Sequence, residues 1–239
     1  MLPIELFKNI KIVATDVDGT LTDEKGINIK ALQAIRDIEE NGIEVFLISS
    51  HAFIVTATLA KYIGLKGLVI GESGAVIGRP WEILYQEKVN YDRWEIINYL
   101  LDIGFRDNIN RFRIVDCGFL YSEKVKHLKA EDVKKLLKEK GFDVEVYFTK
   151  VSLHVLPKGV SKASGLLKAL KISGYSIDDV VFIGDADNDL PLFEITKLSV
   201  APSNATKLVK EKAKIILDKP NGEAFYELAK IILKAKNFS

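Results

Sequence analysis

Two aspartates directly follow an apolar run, since residues 10–15 read Ile-Lys-Ile-Val-Ala-Thr and lead into Asp-Val-Asp-Gly-Thr at residues 16–20. The run predicts a buried strand, and ligands bind just beyond the carboxyl ends of strands in open parallel sheets. Carboxylates at Asp16 and Asp18 would repel each other and lose solvation, and a bound cation is the simplest compensation. A carboxylate held by a cation beside the N–H groups of a glycine turn can attack a phosphoryl group. The same residues also suit an Asx turn that caps the next helix.

A second acidic cluster follows another apolar run farther along the chain. Val180–Ile183 is predicted to be a short strand, and Gly-Asp-Ala-Asp-Asn-Asp follows at residues 184–189. Asp185 and Asp189 would provide the oxygen ligands that a hard cation such as Mg²⁺ prefers. The alternative is a helix N-cap with Pro191 in the first turn, although a capping aspartate can also bind metal.

Two further segments carry groups that suit an anion. A predicted strand, Ile43–Ile48, leads into Ser49, Ser50 and His51, and a hydroxyl with N–H groups at a helix N-terminus binds phosphate oxygens. Lys162 begins a predicted helix, from which its compact ammonium can reach a negative charge. The plainer interpretations are a serine N-cap and a solvated surface lysine.

The order of these segments resembles the haloacid dehalogenase-like phosphatase superfamily. Residues 16–20 match its nucleophile motif, Ser49 its second motif, Lys162 its third, and residues 184–189 its fourth, glycine-Asp-x-x-Asn-Asp. The joint match spans most of the chain and is far more specific than any single motif. Within the superfamily, the chain is similar to the archaeal phosphoglycolate phosphatases, which have a large α/β cap inserted into the core.

Three residues depart from the pattern of this group. The second motif often continues with Gly and then Arg or Asn, where this chain has Ser50 and His51. Ser73 stands where an asparagine is expected. Because these positions face the substrate in relatives, the resemblance defines the reaction type better than the substrate.

The resemblance implies a role for each catalytic residue. Asp16 would be the nucleophile that forms an aspartyl-phosphate, and Asp18 would protonate the leaving oxygen and later deprotonate water. For the first of these roles the pKa of Asp18 has to be raised, which we expect from burial and from the charge of Asp16. Lys162 would hold phosphoryl oxygens.

The resemblance also implies a metal ion and a substrate-binding set. The cofactor would be Mg²⁺, which neutralises transferring phosphoryl oxygens. Its ligands would be Asp16, the backbone carbonyl of Asp18, Asp185 and Asp189. The phosphate- and substrate-binding residues would be Gly19, Ser49, Ser50, Asn188 and His154, with Asn188 orienting Lys162 or a metal ligand.

The substrate is expected to be a small phosphate ester, above all 2-phosphoglycolate. Its carboxylate needs a cationic or hydrogen-bonding partner in a closed site, and the candidates are His154, His51 and Arg113. A satisfied core histidine is the simpler interpretation of His154, which lies in an apolar strand pattern. The alternative functions are a sugar-phosphate phosphatase, a phosphomutase, and a non-catalytic regulatory protein, and the intact motif acids argue against the last.

Composition excludes several other classes. Lys+Arg number 34 and Asp+Glu 33, without the basic excess of nucleic-acid binders. No apolar run approaches the ~20 residues of a membrane span, and the N-terminus lacks a signal-peptide pattern. Since Cys117 is the single cysteine, a disulfide framework is excluded and a reducing, cytoplasmic location is expected. Both a monomer and a homodimer are compatible with the sequence.

Predicted strands and helices alternate in the first and last thirds of the chain. This alternation predicts an α/β fold with a doubly wound, Rossmann-like parallel sheet. The middle section has an α+β pattern, with Ile109–Val115 and Gly118–Tyr121 as neighbouring strands. We therefore predict a catalytic core formed by residues 1–80 and 158–239, and a smaller α+β cap domain formed by residues 81–157.

Overall fold

The structure is a computed structural model that describes residues 4–149 and 151–237. The strands are β1 (Ile12–Asp16), β2 (Thr22–Asp23), β3 (Gly26–Ile27), β4 (Glu44–Ile48), β5 (Val69–Gly71), β6 (Val76–Arg79), β7 (Glu82–Gln86), β8 (Arg106–Asp107), β9 (Cys117–Leu120), β10 (Val144–Phe148), β11 (Ser152–Pro157), β12 (Val180–Ile183), β13 (Leu198–Ala201) and β14 (Ile215–Ile216). The α-helices are α1 (Ile29–Glu40), α2 (Phe53–Ile63), α3 (Arg93–Ile103), α4 (Ala130–Glu139), α5 (Lys162–Ser173), α6 (Leu190–Ile195), α7 (Lys207–Lys212) and α8 (Asn221–Asn237). None of the helices in these described ranges is at once long enough and apolar enough to span a membrane.

Eight strands form the main sheet, in the order β14-β13-β12-β1-β4-β5-β6-β7. Neighbouring strands are parallel from β14 to β5, whereas β6 and β7 join antiparallel at one edge. Helices α1, α2 and α8 pack on one face, and α5, α6 and α7 pack on the other. The predicted α/β class with a doubly wound sheet is confirmed.

The central strands are built from continuous apolar runs. Strands β1 and β12 are buried along their whole lengths, which is typical of parallel strands covered on both faces. In β1, Val13 packs in one apolar layer while Ile12 and Ala14 pack in the other. The run ends at Asp16, so the first predicted motif acid is the last residue of the central strand.

A smaller antiparallel sheet, in the order β10-β11-β9-β8, is formed by the middle of the chain. Helices α3 and α4 pack on it around a separate apolar cluster. Strand β7 falls within the predicted cap but pairs with β6 and extends the main sheet. The division into a core and a cap, with boundaries at residues 81 and 157, stays a prediction.

The predicted strand over Ile109–Val115 is wrong. Ile109 has a left-handed conformation with a φ of 53°, and a 3₁₀ turn follows at Asn110–Phe112. The backbone N–H groups of residues 114–116 then donate to the buried carboxylate of Glu72. Because these N–H groups are used by a side chain, they cannot take part in a strand ladder.

The turn after β5 is strained and closely packed. Glu72, Ser73 and Gly74 have φ values of 50°, 55° and 104°, a left-handed conformation that is unfavourable for residues other than glycine. Gly74 contacts α5 at Gly165, where an added Cβ would lie 2.4 Å from the Cα of Gly74. This backbone contact fixes the first turn of α5, which begins at Lys162.

The contact between the two glycines generates a stability prediction. Gly165→Ala should lower the free energy of unfolding by about 1–3 kcal/mol, because overpacking against backbone outweighs the roughly 1 kcal/mol that alanine contributes inside a helix. Urea denaturation measures this difference. Leu167→Ala, on the exposed side of the same helix, is the control and should change stability by less than about 0.5 kcal/mol. A stabilised Gly165→Ala variant would contradict the packing described here.

Candidate active site

The carboxyl ends of three parallel strands bring the predicted motifs together. Strand β1 lies between β4 and β12, so Asp16 at the end of β1, Ser49 after β4 and Asp185 after β12 lie at the same end of the sheet. Asp189 belongs to the 3₁₀ turn after β12, and Lys162 is the first residue of α5. All five residues are buried.

Three of these side chains form a compact acidic cluster. Asp16, Asp185 and Asp189 each offer a carboxylate oxygen, and these oxygens lie within 4.8 Å of one another. The Lys162 ammonium donates to Oδ1 of Asp16 at 2.5 Å and to Oδ1 of Asp189 at 2.7 Å. Three negative charges therefore share one lysine in a region where Asp16 is only 5% exposed and both other aspartates are 0% exposed.

The charges in this cluster shift the pKa values of Asp16 and Lys162. Burial raises the pKa of Asp16, Lys162 lowers it, and Asp189 and Asp185 raise it again, so that it lies well above its usual value. Burial alone would lower the pKa of Lys162, but the charges and hydrogen bonds of Asp16 and Asp189 raise it above its usual range. Additional positive charge at this place would favour the ionised form of Asp16.

Hydrogen bonds from the neighbouring loops fix two of the acids, Asp185 and Asp189. The Thr20 hydroxyl donates to Oδ1 of Asp185 at 3.2 Å. The backbone N–H groups of Asp185 and Ala186 donate to Oδ2 of Asp189 at 3.2 and 3.1 Å. These contacts hold the carboxylates in place against their mutual repulsion.

Gly19 allows the first motif loop to approach the second. Its φ is 83°, and a Cβ at this position would lie 2.5 Å from Oδ2 of Asp185. The Gly19 N–H donates to the hydroxyl of Thr22 at 3.2 Å. The positive φ and the close approach to Asp185 therefore both require glycine at this position. Its predicted contact with a phosphoryl group stays a prediction.

The acidic cluster fits a divalent cation in both donor type and charge. Carboxylate oxygens are the ligands that hard cations such as Mg²⁺ prefer, and the ion would offset the negative charge that Lys162 leaves. Asp16, Asp185 and Asp189 are the residues that could hold it. The carboxylate of Asp18 is outside this group, and its backbone carbonyl stays a predicted ligand.

The pKa of Asp18 differs from the expected one because of its contact with His51. The Asp18 side chain is 64% exposed, and its Oδ2 lies 3.0 Å from Nε2 of His51. Partial desolvation raises the pKa of Asp18, but the hydrogen bond and charge of His51 and the charge of Lys162 outweigh it and leave the pKa below its usual value. The expected rise in the pKa of Asp18 is therefore wrong for this structure, since the carboxyl lies in solvent beside a histidine.

The serines of the second motif lie in a polar network. The Ser49 hydroxyl accepts from the N–H of His51 at 3.1 Å. Oγ of Ser50 accepts from the Ser73 hydroxyl at 2.8 Å and from the Asn188 amide at 3.3 Å. Asn188 thus contacts the serine loop, which differs from the expected role of orienting Lys162 or a metal ligand.

The two other candidates for recognising a substrate carboxylate are buried and already bonded. Arg113 donates to the backbone carbonyl of Ser50 at 3.1 Å and forms a close ion pair with Asp116. Nδ1 of His154 lies 2.7 Å from Oδ2 of Asp116, and Nε2 lies 2.8 Å from Oγ of Ser152. Both ring nitrogens therefore have protein partners, and a substrate contact of His154 stays a prediction.

Two buried carboxylates lie outside the motifs, and Glu72 is the one that connects the two sheets. Glu72 accepts from the N–H of Phe53 at 3.2 Å and from the three N–H groups of residues 114–116 at 2.8–3.1 Å. Burial would raise the pKa of Asp116, but His154 and Arg113 hold it below its usual value. The sequence analysis missed Asp116, for which the available signal was a charge between the apolar residues 115 and 117.

The fold and the site are those of a known family. A family model described as haloacid dehalogenase-like hydrolase matches residues 13–149 and, in a second segment, residues 121–228. The chain belongs to this family, as the order of its motifs predicted. Hydrolases of the family generally use a divalent metal ion, which agrees with the acidic cluster.

Relatives of similar sequence indicate that the enzyme is a phosphatase. A phosphoglycolate phosphatase from Methanopyrus kandleri is 32% identical over 220 residues, which cover 89% of this chain and 92% of the relative. A phosphoglycolate phosphatase from Staphylothermus marinus is 30% identical, with 94% and 98% covered. A crystal structure from Thermoplasma acidophilum has a TM-score of 0.83 at 27% identity and covers 94% of this chain and 98% of its own. The chain is an enzyme, a phosphatase of the haloacid dehalogenase-like family.

The acidic cluster predicts a metal response that depends on Asp185. Mg²⁺ should raise the Tm of the wild-type protein, because an ion that binds only the folded state stabilises it. Asp185→Asn should lose most of this rise, and without metal it should melt at a higher temperature because one repelling charge is gone. Calorimetry with EDTA and with added Mg²⁺ measures both effects.

The matched control is Asp187→Asn, which changes an exposed aspartate of the same turn that accepts from Thr206. This variant should respond to Mg²⁺ like the wild-type protein. An undiminished Mg²⁺ response in Asp185→Asn would exclude Asp185 as a ligand.

Proposed function

We propose that this phosphatase hydrolyses a small phosphate monoester, with Asp16 as the nucleophile and Mg²⁺ as the metal ion. The observation that supports this most is the position of the Asp16 carboxylate. It lies at the end of the central strand, is held by Lys162, and is within 4.8 Å of Asp185 and Asp189. A fixed carboxylate beside a cation site is suited to attack on phosphorus.

The reaction proceeds in two displacements at phosphorus. In the first, the Asp16 carboxylate attacks, the bond to the leaving oxygen breaks, and an aspartyl-phosphate forms while Asp18 gives that oxygen a proton. In the second, water attacks the phosphorus, Asp18 takes a proton from it, and the bond to Asp16 breaks. A phosphate dianion beside Asp18 raises the pKa of its carboxyl, which offsets the lowering by His51 and allows it to carry the proton.

The other motif residues bind the phosphoryl group. Lys162, the Ser49 hydroxyl and the N–H groups around Gly19 provide donors for its oxygens. Asp16, Asp185, Asp189 and the Asp18 carbonyl would hold Mg²⁺, which supplies positive charge to the transferring oxygens.

The proposed substrate is 2-phosphoglycolate. The relatives from Methanopyrus kandleri and Staphylothermus marinus are named phosphoglycolate phosphatase, and their similarity covers nearly the whole chain. The small sheet is also bonded to the serine loop, since Arg113 donates to the Ser50 carbonyl. With Cys117 buried and free, we propose a reducing, cytoplasmic location for the enzyme.

The nucleophile is tested by Asp16→Asn, which removes the charge and keeps the shape. Activity should fall at least ~10³-fold, as expected for loss of a nucleophile. Steady-state phosphate release measures it, and mass spectrometry of acid-quenched protein should find the phosphoryl adduct on the Asp16 peptide in the wild-type enzyme alone. Asp23→Asn, an exposed change in the next strand, is the control with near-normal turnover. Near-normal turnover in Asp16→Asn would refute the mechanism.

The substrate is tested by comparing kcat/KM values, the ratio that measures discrimination. We expect a higher kcat/KM for 2-phosphoglycolate than for hexose monophosphates, because the relatives that match nearly the whole chain are named phosphoglycolate phosphatases. A panel of phosphorylated metabolites assayed with Mg²⁺ provides the values. If a hexose phosphate is preferred by about tenfold or more, roughly 1.4 kcal/mol of transition-state binding, the substrate assignment is wrong while the nucleophile assignment stands.

A further inference from the structure

The loop after β13 reaches past the strand next to it. In the main sheet β12 lies between β13 and β1, so the loop at residues 202–206 starts two strands away from the end of β1. The N–H of Thr206 donates to the backbone carbonyl of Asp185, after β12, at 2.9 Å. The side-chain amide of Asn204 donates to the backbone carbonyl of Gly19, after β1, at 2.8 Å. The loop after β13 therefore joins the two loops that carry the motif acids.

The orientation of the Asn204 amide is determined by two backbone partners. Its Nδ2 donates to the Gly19 carbonyl, and its Oδ1 accepts from the N–H of Asn221, the first residue of α8, at 2.7 Å. A backbone carbonyl only accepts and a backbone N–H only donates, so the reversed amide would lose both bonds. Although Asn204 lies at the surface, this position requires a side chain with one donor and one acceptor.

The two ends of this bridge differ in rigidity. Helix α8 is anchored by apolar residues in the core of the main sheet, among them Ala224 and Phe225. Gly19 has a φ of 83°, and a residue without a Cβ does little to restrict the orientation of its neighbouring peptides. The bond from Asn204 therefore ties a permissive point of the first motif loop to a fixed helix.

Two groups next to Gly19 bear on the acidic cluster. The peptide that Asn204 binds leads directly into Thr20, whose hydroxyl donates to Oδ1 of Asp185 at 3.2 Å. The peptide on the other side of Gly19 contains the carbonyl of Asp18, which is a proposed ligand of the metal ion. A change in the orientation of Gly19 would therefore move both a partner of one ligand and a second ligand.

We propose that Asn204 is a positioning residue for metal binding, which acts by fixing the peptides on either side of Gly19. This inference rests on the proposed function, because it assumes that the acidic cluster binds Mg²⁺. Side chains that orient metal ligands without touching the ion contribute roughly 10–100-fold to metal affinity. Asn204 fits this description, since its contact is with the loop that carries ligands and not with the cluster itself.

The test measures Mg²⁺ binding to the substrate-free protein by isothermal titration calorimetry. Asn204→Ala removes both hydrogen bonds, and the Kd for Mg²⁺ should rise at least about tenfold. The Mg²⁺ concentration that gives half-maximal phosphatase activity should rise by a similar factor.

Asn204→Asp provides a second variant of nearly the same shape. It keeps the acceptor for the N–H of Asn221 and replaces the donor to Gly19 with an oxygen. The added negative charge alone would strengthen the binding of a cation. Weaker Mg²⁺ binding in this variant therefore reports the lost bond to Gly19, and stronger binding would contradict the proposal.

Asn28→Ala is the matched control. The Asn28 side chain also bonds two backbone groups, the N–H of Lys30 at 2.9 Å and of Ala31 at 3.3 Å, and it caps α1. Its loss should lower the Tm about as much as Asn204→Ala does, because each variant loses one surface side chain with two hydrogen bonds. The Kd for Mg²⁺ should stay at the wild-type value in Asn28→Ala.

The outcomes separate this inference from the proposed function. Weaker Mg²⁺ binding in Asn204→Ala together with unchanged binding in Asn28→Ala supports the role of Asn204. Wild-type binding in Asn204→Ala, or equal weakening in both variants, overturns that role and leaves the proposed metal site intact. A wild-type protein that does not bind Mg²⁺ refutes the proposed metal ion, and the role of Asn204 with it.

Discussion

Asp16, Asp185 and Asp189 bring three negative charges within 4.8 Å of one another in a region closed to water, and Lys162 bridges two of them. Like charges in such a place are unfavourable without compensation. Three features of the fold hold the acids together. Parallel strands end at the same end of the sheet, Gly19 lets the two motif loops approach, and backbone N–H groups bind Asp189. The free energy that holds these acids together comes from the buried apolar layers on both faces of the sheet. Packing remote from the site therefore offsets the repulsion within it.

Hydrogen bonds of two further buried charges connect the two sheets. The Glu72 carboxylate accepts three N–H groups from residues 114–116, and the Arg113 guanidinium reaches the Ser50 carbonyl. Both contacts join the serine loop and the turn after β5 to the small sheet. A buried charge that lost these partners would be strongly destabilising. The contacts therefore hold the small sheet in a fixed position relative to the serine loop and the turn after β5.

Features with a local signal could be predicted from the sequence. Strand β12 has the predicted bounds Val180–Ile183, and α5 starts at Lys162 as predicted, because apolar runs and caps are properties of neighbouring residues. The motif acids lie where strand ends placed them. Helix α7 (Lys207–Lys212) was not predicted, since Val209 is its one buried residue and the segment shows no apolar pattern. The lowered pKa of Asp18 depends on His51, which comes from another strand end, and no local pattern indicated that pair.

The contacts at the substrate side have no such local signal. Ile109–Val115 looks like a strand because Ile, Phe and Val favour strands, yet its last N–H groups bind a carboxylate some forty residues earlier in the chain. Tyr147 looks like an ordinary strand residue, and no local pattern indicates that its ring stacks on His154 of the neighbouring strand. The residues of the family motifs thus lie in short segments at strand ends, whereas the contacts of the serine loop depend on how the small sheet packs on the main sheet. Related chains can therefore share the motif residues while differing in these contacts, and we expect the departures at Ser50, His51 and Ser73 to bear on the substrate and not on the reaction.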